Sequence, residues 1–233
     1  LPGFDLDKQE ALINSKALII GMGGLGCATS QYLVAAGVGN ITIVDDDYVE
    51  TSNLQRQVLH FEKSIGSKKV DSAKNTLGQM NQYVNIDTID TRLDKTSLEA
   101  LVHEHNIVLD CCDNLVTRNA INEACHNAKT ALVSGAVIRM EGQILCVIPN
   151  LKTACYCCLS HYFTEQNLSC VESGVMSPVV GIIGATQANE AIKILTKYGE
   201  PAINKLQVFD AMTSTWESFT IKPLANCSVC SKP

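Results

Sequence analysis

In the first half of the chain, short unbroken apolar runs alternate with stretches of helical spacing. Residues 16–21 (KALIIG) are an apolar run closed by glycine, the pattern of a strand buried on both faces. Residues 24–36 (GLGCATSQYLVAA) are small and helix-compatible, and Gly37 is placed to stop the helix. Residues 40–45 (NITIVD) repeat the strand pattern. Across 66–80 (GSKKVDSAKNTLGQM), Val70, Ala73, Leu77 and Met80 fall on one helical face. Strands are further predicted at 85–90 and 106–111, and helices at 95–104 and 115–128. Such alternation implies α/β architecture, a Rossmann-like doubly wound sheet of mostly parallel strands.

After residue 130 the pattern changes. ALVSGAV, QILCVIP, KLQVFDA and WESFTI read as strands, some with period-two alternation, and they extend the sheet in antiparallel fashion. A helix is predicted over 183–198, stopped by Gly199, while 151–177 is irregular and rich in cysteine. No internal repeat appears, so residues 1–233 read as a single domain with halves at 1–130 and 131–233.

Composition narrows the class. Of 233 residues, 46% are hydrophobic and 18% charged, enough for a large core and unlike a disordered chain. With 15 glycines and 6 prolines, collagen-like and low-complexity readings fail. Apolar runs fall well short of the ~18 residues of a membrane span, and the acidic start LPGFDLDKQE lacks a signal-peptide core. A cytoplasmic location is expected. The net charge of −6 argues against nucleic acid or an anionic membrane as partner. Eleven cysteines, an odd number without a secretion signal, point to thiols that hold metal or do chemistry. Cys27, Cys111, Cys125 and Cys146 sit in apolar periodic segments and read as small hydrophobes.

Four constellations carry chemistry. Gly21-Met22-Gly23-Gly24-Leu25-Gly26 lies between a strand and a helix, and Asp45 ends the next strand. Glycines allow close backbone approach to a phosphate at a helix N-terminus, and the acid suits a ribose hydroxyl; the alternative is a tight turn with a core glycine contact. In DDDYVETSNLQRQ (45–57), a short helix capped by Ser52 would place Asn53 and Arg56 on one face. A guanidinium there suits phosphates better than a nicotinamide ring, and Lys69 adds a point charge; the alternative is a solvated polar face. In VLDCCDN (108–114), Asp113 at a strand's carboxyl end is placed to hold Mg²⁺, although it or Asn114 could instead cap a helix. Finally, Cys155-x-x-Cys158 and Cys227-x-x-Cys230 offer four thiolates for a closed tetrahedral Zn²⁺ site, with two disulfides or a redox pair as the alternative. Cys157 is a bystander. Cys170, in a polar irregular segment, reads equally as a nucleophile or an inert thiol. His60, His103, His105, His126 and His161 read as surface or core residues.

Together GMGGLG, DDDYVETSNLQRQ, the lysine, LDCCDN and the paired CxxC resemble the family of enzymes that activates ubiquitin-like proteins, over nearly the whole chain. LVSGAVIRMEGQ (132–143) and CVESGVMSP (170–178) resemble its molybdenum-cofactor branch more than its thiamine branch. The resemblance implies an adenylyltransferase. Such an enzyme uses ATP and Mg²⁺ to adenylate the C-terminal glycine of a small ubiquitin-like sulfur-carrier protein with a Gly-Gly tail, here the small subunit of molybdopterin synthase, releasing pyrophosphate. It implies that Gly24, Asp45, Ser52, Asn53, Leu54, Gln55, Arg56 and Asn114 contact the nucleotide, with Asp47 as a supporting acid. Arg56, Lys69 and a magnesium ion near Asp113 would be the catalytic groups, in the half 1–130. The half 131–233 would bind the carrier and zinc, with Cys170 at the position where some members receive the carrier. A homodimer is implied, as are an Arg-Tyr-x-Arg-Gln motif upstream of Leu1 that serves the partner subunit's ATP site and a separate sulfurtransferase. Three readings compete: the thiamine-pathway adenylyltransferase, a non-enzymatic zinc-stapled carrier-binding scaffold, and a nicotinamide oxidoreductase, for which no histidine stands out as proton donor.

Overall fold

The computed structural model describes residues 1–162 and 174–231. Eight strands form one sheet in the order β3-β2-β1-β4-β5-β6-β7-β8. They are β1 (Lys16–Ile20), β2 (Asn40–Val44), β3 (Asn85–Ile89), β4 (Ile107–Asp110), β5 (Ala131–Ile138), β6 (Glu141–Val147), β7 (Lys205–Asp210) and β8 (Thr215–Thr220). The first five run parallel, and β5 through β8 pair antiparallel. β1 pairs with β2 on one side and β4 on the other, so the direction of winding reverses there. A crevice at such a switch point, beyond the strands' carboxyl ends, is where open α/β sheets bind ligands.

The unbroken apolar runs become strands because both faces are covered. On one face, Ala17, Ile19, Ile41, Ile43, Ile107 and Leu109 pack under α1 (Leu6–Ile13), α2 (Gly24–Ala36), α3 (Lys69–Met80) and the long α7 (Ser177–Thr196). On the other, Leu18, Ile20, Val44 and Val108 pack under α4 (Lys95–His103), α5 (Leu115–Ala128) and the short α6 (Tyr156–Ser160). Helices α2 and α7 approach closely: a Cβ on Gly184 would lie 2.8 Å from Leu25 O, and Thr29 Oγ1 donates to Gly184 O at 3.0 Å. Among the described residues no helix is long and apolar enough to cross a membrane.

Three helices differ from the sequence expectation. The helix expected over 66–80 begins at Lys69, because the preceding residues bond to the β2 connection: Gly66 N–H donates to Val49 O, and Tyr48 bridges Lys68. The helix expected over 183–198 begins at Ser177 with Pro178 in its first turn and ends at Thr196. Helix α1, capped by Asp5, was not anticipated; it buries only Leu12 fully and so leaves almost no periodic trace.

Candidate active site and metal centre

The chain leaves β1 through a turn that only glycine can make. Gly21 has φ +97°, and a Cβ there would lie 2.8 Å from Cys111 O; a Cβ on Gly26 would lie 1.9 Å from Gly21 O. Gly23 caps α2 without a side-chain bond, so no cap side chain engages the first-turn N–H groups. Asp45 follows β2 and pins this loop: its Oδ2 accepts Met22 N–H at 2.6 Å and its Oδ1 accepts Asp47 N–H at 2.9 Å. Asp47 Oδ2 in turn holds Lys69 Nζ at 2.8 Å. Lys69 is the first residue of α3 and is buried. An unbroken run of contacts thus links the glycine loop to the lysine.

Residues 51–53 form a 3₁₀ turn whose N-cap is Glu50, not Ser52 as the sequence suggested. Glu50 competes successfully because Asn53 Oδ1 accepts its N–H, at 3.4 Å, while Ser52 Oγ donates back to Glu50 Oε2. Arg56 Nη1 donates to Ser52 O at 3.2 Å, which folds the arginine back over the turn. A Cβ on Gly24 would meet Arg56 Cγ at 3.5 Å and Val180 Cγ1 at 2.5 Å, so the arginine stem lies against the glycine loop. Ser177 Oγ donates to Gln55 O, tying α7 to Leu54-Gln55-Arg56.

Beyond β4, Asp113 is exposed, and Asn114 caps α5 by accepting Thr117 N–H at 2.9 Å. The capping alternative therefore holds for Asn114, whose side chain already has this bond, and not for Asp113. One or two carboxylates together with substrate phosphates are the usual Mg²⁺ environment, and a solvent-facing Asp113 fits it.

Sequence reasoning missed the ion pair beneath this turn. Arg118 Nη1 lies 3.4 Å from Asp110 Oδ2, with side chains 6% and 1% exposed. Arg118 also donates to Ser134 Oγ at 3.1 Å, to Gly135 O at 2.7 Å and to Cys112 O. Ser134 Oγ donates to Asp110 Oδ2 at 2.7 Å, and Asp110 Oδ1 accepts Cys112 N–H at 3.1 Å. The turn bearing Asp113 is clamped from below. The signal was present: Arg118 falls on the helix face of Ile121 and Cys125, where a charge has to find a partner.

The four cysteines converge. Cys155 Sγ lies 3.9 Å from Cys158 Sγ and 3.6 Å from Cys227 Sγ, and Cys158 Sγ lies 3.4 Å from Cys230 Sγ. Tetrahedral bonds of about 2.3 Å place sulfurs about 3.8 Å apart. These separations therefore suit one shared metal ion and are far too long for disulfides, which need about 2.05 Å. Backbone N–H groups of Leu224 and Cys230 donate to Cys158 and Cys227 sulfurs, each at 3.4 Å, as suits thiolates. Cys157 lies outside the cluster, against Ser228 Oγ at 3.4 Å. Cys27, Cys111, Cys125 and Cys146 are buried free thiols, as expected; burial pushes Cys27 and Cys111 up to about 12. Cys170 lies outside the described residues.

A glycine loop at a switch point, with Arg56 against it and Lys69 tethered to it, places the chain among the Rossmann-type folds, whose glycine loops are built to approach phosphates. Residues 1–230 match the ThiF family, and the chain belongs to that family. It is 50% identical to the molybdopterin-synthase adenylyltransferase of Escherichia coli strain K12, over 99% of this chain and 92% of the relative. It is 39% identical to the sulfur carrier protein ThiS adenylyltransferase of the same strain, over 97% of this chain and 89% of that one. Among solved structures, E. coli MccB with ATP superposes with a TM-score of 0.84 at 27% identity, covering 97% of this chain and 69% of that one.

Proposed function

We propose that this protein is an ATP-dependent adenylyltransferase acting on the C-terminal glycine of a small ubiquitin-like sulfur-carrier protein, in molybdenum cofactor biosynthesis. The observation that carries the reading is the packing of the Arg56 stem against Gly24, which keeps a cationic side chain beside the glycine loop where phosphates would lie. The near-full-length identity to molybdopterin-synthase adenylyltransferases supports it and favours that carrier over the thiamine-pathway one. It also weighs against a scaffold without chemistry.

The chemistry is a displacement at phosphorus. A carboxylate oxygen of the carrier's terminal glycine forms a bond to the α-phosphorus of ATP. The bond from that phosphorus to the bridging oxygen breaks, and pyrophosphate departs with the electron pair. The attacking carboxylate is already ionised, so no general base is required. The difficulty is bringing two anions together, and the protein meets it with positive charge and alignment. In this reading Gly24, Asp45, Ser52, Asn53, Leu54, Gln55 and Asn114 seat the nucleotide. Arg56 and Lys69 neutralise charge developing on the phosphates, and Asp47 holds Lys69 in place. Asp113 would hold Mg²⁺, which when bound offsets phosphate charge. Cys155, Cys158, Cys227 and Cys230 would hold one structural Zn²⁺ that pins the C-terminal segment to the middle of the chain. Residues 1–233 would act as one unit, with the nucleotide in 1–130 and the carrier and zinc in 131–233. A homodimer, a separate sulfurtransferase and a cytoplasmic location complete the reading. The deciding experiment is carrier-dependent ATP–pyrophosphate exchange: incorporation of labelled pyrophosphate into ATP only when the carrier is present. No exchange with an intact Gly-Gly carrier would overturn the reading.

A further inference from the structure

His60 is a buried titratable group, 3% exposed, that the chemistry above leaves unused. Its ring lies between the glycine loop and α3. Nε2 is 3.2 Å from Met22 O and Nδ1 is 2.9 Å from Ser72 Oγ. A carbonyl oxygen only accepts, so Nε2 carries the proton; neutral Nδ1 then accepts the Ser72 hydroxyl. Burial holds the ring's pKa below its ordinary value of 6.5. The charged groups acting on it are Lys69 and Asp45, and its third neighbour, the Cys27 thiol at 3.7 Å, is itself pushed up to about 12. The ring is therefore a neutral link with a fixed tautomer.

Its geometry completes a pattern. The backbone of Met22, inside the glycine loop, is held at both polar groups by side chains: its N–H by Asp45 and its carbonyl by His60. Each tether continues into the first turns of α3. Asp45 reaches it through Asp47 and Lys69, and His60 reaches it directly at Ser72. Thr76, one turn further along α3, donates to Leu59 O at 2.9 Å and fixes the segment that bears the histidine. Two parallel braces thus set the distance between the loop that would cradle phosphates and the helix start that carries Lys69.

We propose that His60 is a positioning residue of the adenylation site, a neutral cross-brace that holds the glycine loop in register with Lys69. The proposal rests on the adenylation reading. Loss of the brace lets loop and lysine move independently, which penalises alignment in the transition state more than ground-state binding of ATP.

The test measures carrier-dependent pyrophosphate exchange for the full chain and three variants. His60→Phe keeps a ring and removes both bonds, His60→Gln restores an amide donor toward Met22 O, and Ser72→Ala cuts the far end without touching the ring. His60→Phe should lower kcat about tenfold or more while KM for ATP stays within about threefold, because misplacement of this order costs alignment. His60→Gln should recover at least about a third of the wild-type kcat, and Ser72→Ala, which leaves the buried Nδ1 without its donor, should lose about threefold in kcat with a smaller drop in Tm than His60→Phe. Where His60→Phe fails to fold, Ser72→Ala and His60→Gln decide. Wild-type kcat in Ser72→Ala and in folded His60→Phe overturns the proposal, as does a loss that His60→Gln does not recover, which would mark a packing role. Absence of exchange in the wild type removes the adenylation reading and this proposal together; exchange that the variants leave unaltered removes this proposal alone.

Discussion

Lys69 Nζ sits 2.8 Å from Asp47 Oδ2, yet the lysine side chain is 8% exposed and the aspartate 68%. The two ends of this ion pair live in different environments, and their removal has unequal consequences. Without Lys69 the carboxylate is left solvated, at little cost; without Asp47 a buried ammonium is left unpaired.

Asp47→Ala should therefore destabilise the fold by about 1–2 kcal/mol in urea denaturation, the range for a buried group that loses a charged partner. Lys69→Met should cost less than about 1 kcal/mol and yet lower exchange on the order of a hundredfold, the scale of one lost electrostatic stabiliser. If both variants lose stability equally and Lys69→Met keeps its rate, the lysine is structural.

The turn after β4 yields a second contrast. Asp113 is exposed while Asp110 is clamped by Arg118. Asp113→Ala should reduce exchange at least about tenfold with Tm unchanged, as for the loss of a group acting only on bound substrate. Arg118→Met should lower stability by about 3 kcal/mol, because it strands a buried carboxylate. Melting curves beside exchange rates separate the two, and a stable, inactive Arg118→Met would reverse these assignments.

The thiolate cluster predicts about one zinc per chain after gel filtration. Cys227→Ser should lose the metal and lower Tm, since ligation energy is also folding energy. Cys157→Ser, next to the ligand Cys158 in the chain but outside the cluster, should retain full zinc. Equal metal loss in both variants would mean that Cys157 is a ligand.

Much of this was legible in the chain because its patterns are strong where burial is two-sided. KALIIG had no polar face to confuse its period, NITIVD kept Ile41, Ile43 and Val44 for the core, and both became strands inside the sheet. The CxxC pairs were legible because metal-ligand spacing is local, even though the knuckles meet only through the fold. What stayed hidden depends on particular side-chain contacts that propensity and periodicity do not carry. Ser52 is a better N-cap residue than glutamate by propensity, but Asn53 closes a box with Glu50 that propensity does not contain. His60 read as an anonymous histidine because its partners, Met22 and Ser72, come from two other elements. Arg118 was passed over because its partner Asp110 sits on a neighbouring strand.

Acid should weaken the fold through its histidines. Burial lowers the pKa of His60, His105 and His126 from the ordinary 6.5. His105 Nδ1 donates to Leu101 O at 2.6 Å, and its Nε2 accepts from Thr42 Oγ1 at 2.9 Å, so the neutral ring is satisfied and burial penalises the added charge. The sign follows from linkage: below pH 6.5 the unfolded chain takes up protons that the folded chain refuses, so unfolded molecules bind more protons and stability falls as pH falls. The contribution is complete above about pH 6.5 and is lost progressively down to the lowered folded values. Urea midpoints should accordingly be lower at pH 5.5 than at pH 7.5. His105→Gln, remote from the glycine loop, should keep the Thr42 contact and flatten that dependence, whereas identical slopes in variant and wild type, or a wild-type midpoint unchanged between the two pH values, would show that burial does not hold these rings neutral.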